Sequence, residues 1–492
     1  MVDVVELDHL HSSGAAAPLL FLLMNIYSTK RNDAAPEPGS GDRGKVEATM
    51  TVHADRAPAV IEEDQPAVDR LRALATNAKV VRVIHADLFG RQRAKQYPAA
   101  VWEELLDGVA LSKVSLAEDL FGVPVSAAEF PELAGHPDLS VRPDPETVLV
   151  PPWEPDSVWV LGRLFEHGRP SALCARGALR DAQERLVAGS GLAAITACEP
   201  EFYLFQRTAD GSRGAAYARD GVSYTIDRPN DPTGAVGRLH RRLIDFGIGV
   251  TAVNREFSPG QFEINLRHTD AGRAADQVFL LKSAVKELAV DEGLVANFMG
   301  KPVTGEEGSS LHIHMSLWDG DQNAFATPGG GLSDRALAAV AGIQHHAAAL
   351  LAFASPTVNS YRRLVGEGLS PRRSNWGEDN RLSFVRVPAE RGSATRLELR
   401  AGDASASPHL LTAALLHAVR DGVERDLRPS DDGVLLPRSL DESLAALQRD
   451  DVFTEAFGAE FVKVYVALKT AEIDRLAATV TDAEWQLYSH HA

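Results

Sequence analysis

The chain has 492 residues, 45% of them hydrophobic and 24% charged, which at ~150 residues per domain gives room for two to four domains and a core that needs no staples. Its 50 Lys+Arg against 68 Asp+Glu give a net charge of −18, which argues against a general binder of nucleic acid or of anionic membranes, since both want a basic face. The two cysteines, Cys174 and Cys198, are too few for a disulfide scaffold or a thiolate zinc site and fit a reducing cytoplasm.

Residues 1–65 read as a disordered N-terminal extension. An apolar run over 15–26 is broken by Pro18 and is too short for the ~20 residues of a membrane helix. Asp3, Glu6 and Asp8 stand where a signal peptide would be basic, and a Pro-, Gly- and charge-rich piece covers 31–44. Met50 opens the compact-looking sequence, so residues 1–49 are expected to be dispensable. Residues 66–168 read as a small α+β module. It has a helix over 69–77, a β-branched strand over 80–85 and a polar turn over 86–92 around Gly90. A helix over 101–106 and strands over 148–150 and 158–161 follow. Residues 169–492 read as a larger domain. A long helix over 172–188 precedes a strand-rich region, and helices are expected over 332–354, 408–426, 440–447 and 457–474.

Four segments of that strand-rich region carry one polar face each. A strand points residues i and i+2 the same way. Glu199 and Glu201 therefore share a face, as do Gln261, Glu263 and Asn265. His312, His314 and Ser316 share another, and so do Arg396, Glu398 and Arg400. Any one strand alone also reads as a surface strand with a solvated face. The polar positions, however, are mostly Glu, His and Arg, with no lysine among them. If the strands share one sheet, Glu199, Glu201, Glu256, Glu263 and Glu398 converge, and carboxylates crowded together cannot all stay ionised without cations. Oxygen donors with one imidazole suit Mg²⁺ or Mn²⁺ better than zinc or copper. Divalent ions beside arginines are the equipment of phosphoryl transfer. Met315 and Cys198 fall on the apolar side and read as core, the cysteine as buried and inert.

These residues lie in a series of motifs: Glu199-Pro200-Glu201-Phe202, Glu256-x-x-Pro259-Gly260-Gln261-x-Glu263, and Gly308-Ser309-Ser310-Leu311-His312-Ile313-His314. Then come Asn359-Ser360-Tyr361-x-Arg363, Asn380-Arg381-x-x-x-x-Arg386, Arg396-x-Glu398-x-Arg400 and Asp403-x-x-Ala406-x-Pro408-His409. In this order and spacing the chain, from about residue 80 onward, resembles the glutamine synthetase family. The resemblance implies an α+β fold, with a β-grasp-like N-terminal domain before a catalytic domain whose antiparallel sheet forms the active-site funnel. It implies a homo-oligomer, usually a dodecamer of two stacked hexamers, with sites between subunits. It implies ATP, two or more Mg²⁺ (or Mn²⁺), and glutamate. By resemblance Glu201, Glu256 and Glu263 hold one metal, and Glu199, His312 and Glu398 the other. Arg363 and Arg400 hold the glutamate carboxylates, and the Gly308 backbone meets its amine. Arg381 and Arg386 meet the ATP phosphates and the transferred phosphoryl group, while His314, Ser316 and Arg396 line the nucleotide. A planar guanidinium suits these tasks because it grips carboxylate and phosphate with two bonds at once. His314 has a second reading as a packed core histidine, and Arg386 and Arg396 have one as structural ion-pair partners.

The sequence departs from the family where ammonium-using members hold acids. Ser112 stands in place of an aspartate, Leu369 in place of a flap glutamate, and Glu307 in place of the asparagine before Gly308. Two missing acids weaken an ammonium site and leave a larger, less charged pocket that fits an amine with a carbon chain. The expected reaction is ATP-dependent joining of the glutamate γ-carboxylate to a primary amine through γ-glutamyl phosphate. Asp138 and Glu367 are the candidate bases for the amine. The alternatives are an ordinary glutamine synthetase using ammonium and a catalytically silent relative, the latter disfavoured because all six metal-ligand positions are present. No tyrosine falls within 426–436, so control by adenylylation there is not expected.

Overall fold

The computed structural model describes residues 65–126, 129–219, 222–366 and 368–490. Apart from Gln65, the expected N-terminal extension lies outside the described residues, as does Glu367. Gln65 is already helical, as the first residue of Gln65–Asn77.

The first sheet has a parallel pair at its centre, Val80–Ala86 beside Ser157–Glu166. Both strands are buried along most of their length, which is why they read as apolar runs. Gln92–Pro98 closes one side antiparallel, and Asp138–Pro143 followed by Val109–Ser112 closes the other. The expected turn after the first strand is held by Asp87, whose carboxylate accepts from the Phe89 and Arg91 amides (3.0 and 2.9 Å). The strand expected over 148–150 is not formed. The short 3₁₀ turn Pro145–Thr147 precedes that stretch, and Leu149 alone exchanges backbone hydrogen bonds with Trp159, as an isolated bridge.

The second sheet runs in the order Trp376–Glu378, Val385–Val387, Leu397–Leu399, Leu311–Asp319, Ala193–Arg207, Gln261–Leu266, Val250–Arg255. All its pairings along this path are antiparallel except the first. Its apolar positions Phe202, Leu204, Phe262, Ile264, Ile313 and Met315 enter the core, and Cys198 is buried with them.

Helices cover that core. Pro408–Glu424 is buried along most of its length, with Pro408 in the first turn, where a missing amide costs nothing. The helix expected over 172–188 is Ala175–Ser190, capped by the Cys174 sulfur and closed by Gly191 in the left-handed region. The single helix expected over 332–354 is two, Asp334–His345 and Ala347–Ala354, bent by 76°. The break falls at His346, whose ring lies between Asp421 and Asp450. The helix expected from 457 starts at Ala459, because Gly458 has φ +85°, and a separate turn, Asp451–Phe457, precedes it. Among the described residues no single helix is long and apolar enough to cross a membrane.

Candidate active site

Strand register assembles the polar face. Glu201 lies directly opposite Glu263, and Glu263 opposite Asn254. Glu199 lies opposite His312, His314 opposite Glu398, and Glu398 opposite Arg386. Like charges set directly across a strand pair repel, so the Glu201–Glu263 pairing costs stability unless a cation sits between them. Glu256 joins from the hairpin that links Val250–Arg255 to Gln261–Leu266. There Gly260, at φ +72°, allows the Gln261 amide to reach the Ser258 carbonyl. A Cβ on Gly260 would stand 2.7 Å from the Leu204 carbonyl oxygen, so the turn needs glycine twice over.

Two donor groupings result. Glu199, His312 and Glu398 bring one donor atom each within 4.8 Å of one another, and so do Glu201, Glu263 and His312. Burial, and then the charge of Glu201, pushes the Glu256 carboxyl up to about 8. Burial followed by Glu199, Glu201 and Glu256 pushes Glu263 to about 9. His312 is lowered by burial and by Arg400, which keeps the imidazole neutral, the form that ligates metal. An oxygen-rich set with surplus negative charge and one neutral imidazole fits a hard divalent cation.

Side-chain amides hold three of the carboxylates in place. Gln261 Nε2 donates to Glu201 (3.0 Å), Asn254 Nδ2 to Glu256 (2.7 Å) and Asn265 Nδ2 to Glu263 (3.1 Å). The Ser310 amide also donates to Glu201 (2.9 Å). Asn254 was missed from sequence, although its place two residues before Glu256, near the end of the strand Val250–Arg255, was an available signal.

The arginines divide into three settings. Arg363 is buried, bonded to the Ala401 and Arg400 carbonyls and to Ser310 Oγ, and its stem packs on Gly308. A Cβ at Gly308 would stand 2.7 Å from Arg363 Cγ and 2.5 Å from the Gly300 carbonyl oxygen. Arg400 pairs with Glu398 and donates to the Arg381 carbonyl (2.8 Å). Arg386 bridges Glu398 (2.8 Å) and Asp379 (2.7 Å). Arg381 is exposed at the rim, where its charge reaches Glu256 and Tyr224. Tyr224 lies near enough to feel the same charges. It is an exposed ring at φ +61° whose hydroxyl feels burial first and then the charges of Glu256, Glu263 and Glu199.

His314 places Nε2 3.1 Å from Glu199, and Arg396 Nε donates to His314 Nδ1 (3.2 Å) while pairing with Glu390. Ser316 accepts from Trp318 Nε1 (2.9 Å). Ser112 and Asp138 are brought together by register, directly opposite each other at the edge of the first sheet, which shares no strand with the carboxylate sheet. Leu369 is exposed, and the Glu307 carboxylate packs against neighbouring Gly368. The two cysteines are buried and unpaired, and burial followed by the charge of Glu199 pushes Cys198 up to about 12.

Residues 172–488 match the model of the glutamine synthetase catalytic domain. The chain belongs to the glutamine synthetase family. It is 32% identical to a glutamine synthetase of Pyrococcus abyssi, over 82% of this chain and 92% of that protein. It is equally 32% identical to a glutamate–isopropylamine ligase of a Pseudomonas species, over 84% and 94%. A solved structure of GmaS without ligand superposes with a TM-score of 0.76 at 30% identity, covering 85% of this chain and 99% of that one. The chain is therefore an ATP-dependent glutamate ligase with the mixed α/β catalytic fold of that family, whose members use ATP and divalent metals.

Proposed function

We propose that this member joins the γ-carboxylate of glutamate to a primary alkylamine. ATP phosphorylates the carboxylate; the amine then attacks the acyl phosphate carbon, the C–O bond to phosphate breaks, and γ-glutamylamide, ADP and phosphate leave. Overall identity does not choose between ammonium and an amine, because relatives of both kinds are equally similar. The choice rests on Ser112 and Leu369, a hydroxyl and an isobutyl group where ammonium-using members hold acids.

Each residue acts through a stated property. Glu201, Glu256 and Glu263 on one side, and Glu199, His312 and Glu398 on the other, would hold divalent cations, which supply neutralisation of phosphate charge. Arg381 at the rim, which has no ion pair among the described residues, offers its guanidinium to the transferring phosphoryl group, and Arg386, held by Glu398 and Asp379, adds positive charge beside it. Arg363 and Arg400, fixed by backbone carbonyls and Glu398, hold the glutamate carboxylates. Gly308 keeps its backbone close to them. His314, Ser316 and Arg396 flank the nucleotide. Alkylammonium ions lose their proton near the lysine range, ~10.4, so the nucleophile needs a base. Asp138, opposite Ser112, takes that role, with Glu367 as the second candidate. Because Ser112 and Asp138 lie on the other sheet, a neighbouring copy in a dodecamer of two hexameric rings brings this edge to the funnel.

The test is phosphate release with ATP, Mg²⁺ and glutamate across ammonium, methylamine, isopropylamine, ethanolamine, putrescine and spermine. The expected result is a higher kcat/KM for one organic amine than for ammonium. Preference for ammonium would overturn this reading and assign Asp138 to an ammonium site. No turnover with any of these acceptors would overturn the alkylamine reading as well.

A further inference from the structure

A cavity of about 480 Å³ lies between the strand Ser157–Glu166, the helix Ala175–Ser190 and the start of the helix Ala271–Asp291. None of the residues assigned to ligation lines it. Its volume falls in the range of small-molecule sites. Five arginines reach it: Arg70, Arg163, Arg176, Arg180 and Arg273.

The acids nearby are mostly committed. Asp144 and Asp276 both pair with Arg176 (2.8 and 2.9 Å), and Asp276 is shared with His409 (2.8 Å). Asp270 caps its helix by accepting from the Arg273 amide (2.9 Å). The Arg180–Glu184 pair joins two side chains that are each more than half exposed, so it holds the guanidinium weakly. Arg163 has no carboxylate within ion-pair distance among the described residues. In strand register it stands directly opposite Arg142, a like-charged pair that repels. The Arg142 Nε is buried without a partner, and both guanidinium groups are thrown onto Phe165, at 4.5 and 5.8 Å from the ring. Burial, and then the charge of Arg180, makes the charged form of Arg163 harder to hold. The lining holds five arginines against four acids, Asp144, Glu146, Asp270 and Asp276, a surplus of one positive charge, with Arg163 lacking an ion-pair partner among the described residues.

We propose that this cavity is an anion site, separate from the ligase site, that takes a small organic molecule with a phosphate or carboxylate head group held by Arg163 and Arg180. Two guanidinium forks are the geometry for a multidentate oxyanion. Leu161, Leu179 and Leu280 offer the rest of the molecule an apolar wall, and Gln183 and Gln277 offer amides. A bound anion would also relieve the Arg142–Arg163 repulsion and tie the first sheet to both helices.

The experiment is calorimetric titration of the full-length protein with pyrophosphate in one arm and citrate in the other, which separates phosphate from carboxylate chemistry. R163Q and R180Q are each expected to weaken the tighter probe by about tenfold or more, since each removes charge-assisted hydrogen bonds. Ligase turnover without the probe should stay within about twofold of the parent, because neither residue borders the carboxylate face. R163K should bind between parent and R163Q. Equal binding by parent, R163Q and R180Q would place the anion elsewhere and overturn the proposal. So would failure of both probes to bind the parent at millimolar concentration. If R163Q fails to fold by thermal melting, R180Q, on an exposed helix face, carries the test.

Discussion

At the helix bend, His346 sits between Asp450 (2.6 Å) and Asp421 (3.1 Å), and Arg425 adds a second cation on Asp421 (2.8 Å). On the sheet, His312 sits among Glu199, Glu398, Glu201 and Glu263; Arg386 and Arg400 balance Glu398, but among the described residues no lysine or arginine pairs with Glu201, Glu256 or Glu263. In geometry the two places look alike: His345, His346 and Asp421 approach one another as closely as the sheet donors do. Their charges differ. Two acids face two cations at the bend, and the group closes on itself. On the sheet, Glu201 opposes Glu263, and Glu256 and Glu263 are pushed up to about 8 and 9 by burial and by one another's neighbours. A donor set marks a place where a metal could fit; uncompensated charge marks the place that wants one.

The sharpest way to break that contrast is to neutralise one acid on the sheet. E263Q is expected to lower phosphate release with any acceptor by about 10²–10³-fold, as removal of one electrostatic group from an active site does. It should also abolish the rise in melting temperature that Mg²⁺ gives the parent. H346Q should keep that rise. If H346Q loses the Mg²⁺ response and E263Q retains it, the two places have been assigned the wrong way round. A smaller effect is expected from Asn254, whose side-chain amide donates to Glu256 and thereby orients it. Removing its amide in N254L should weaken Mg²⁺ by about 10–100-fold, the usual cost of losing an outer partner of a metal ligand. A magnesium titration of activity checks this, with kcat returning to near the parental value at saturation. An unchanged titration would make the Asn254–Glu256 contact incidental.

The same contrast explains what was legible in the sequence. The alternation of Glu199 and Glu201, or of His312 and His314, is a local property of an extended strand, so the polar faces were readable residue by residue. Which carboxylate opposes which is set by pairing between distant strands. The Glu201–Glu263 and Ser112–Asp138 pairs therefore had no signal of their own. Asn254 was missed because its strand, Val250–Arg255, carries no run of polar alternation strong enough to stand out. The bend at His346 was hidden for a related reason. Residues 332–354 hold no proline to mark a break at Gln344-His345-His346, and the acids that fix the ring lie far along the chain, at 421 and 450. The cavity lined by Arg163 is likewise drawn from separate segments, each unremarkable alone.

The smallest expected effect is on stability rather than turnover, and it has a sign. Burial works against a charge on His346, but the hydrogen bonds and charges of Asp450 and Asp421 outweigh it and raise the ring above its ordinary value of 6.5. A group whose pKa is raised by folding contributes stability that is fully present below its unfolded value and is lost as pH rises through the folded one. H346Q keeps a polar side chain at the bend but cannot carry the charge. Its stability deficit against the parent should therefore be greatest at pH 6 and shrink toward pH 9. The change amounts to about 1.4 kcal/mol for each unit by which folding raises the ring. Denaturant melts of both proteins at the two pH values measure it. A deficit that is the same at both would mean that the ring is neutral in the folded chain. The charge balance claimed for the bend would then fail, and with it the reason for separating this histidine from the ones on the sheet.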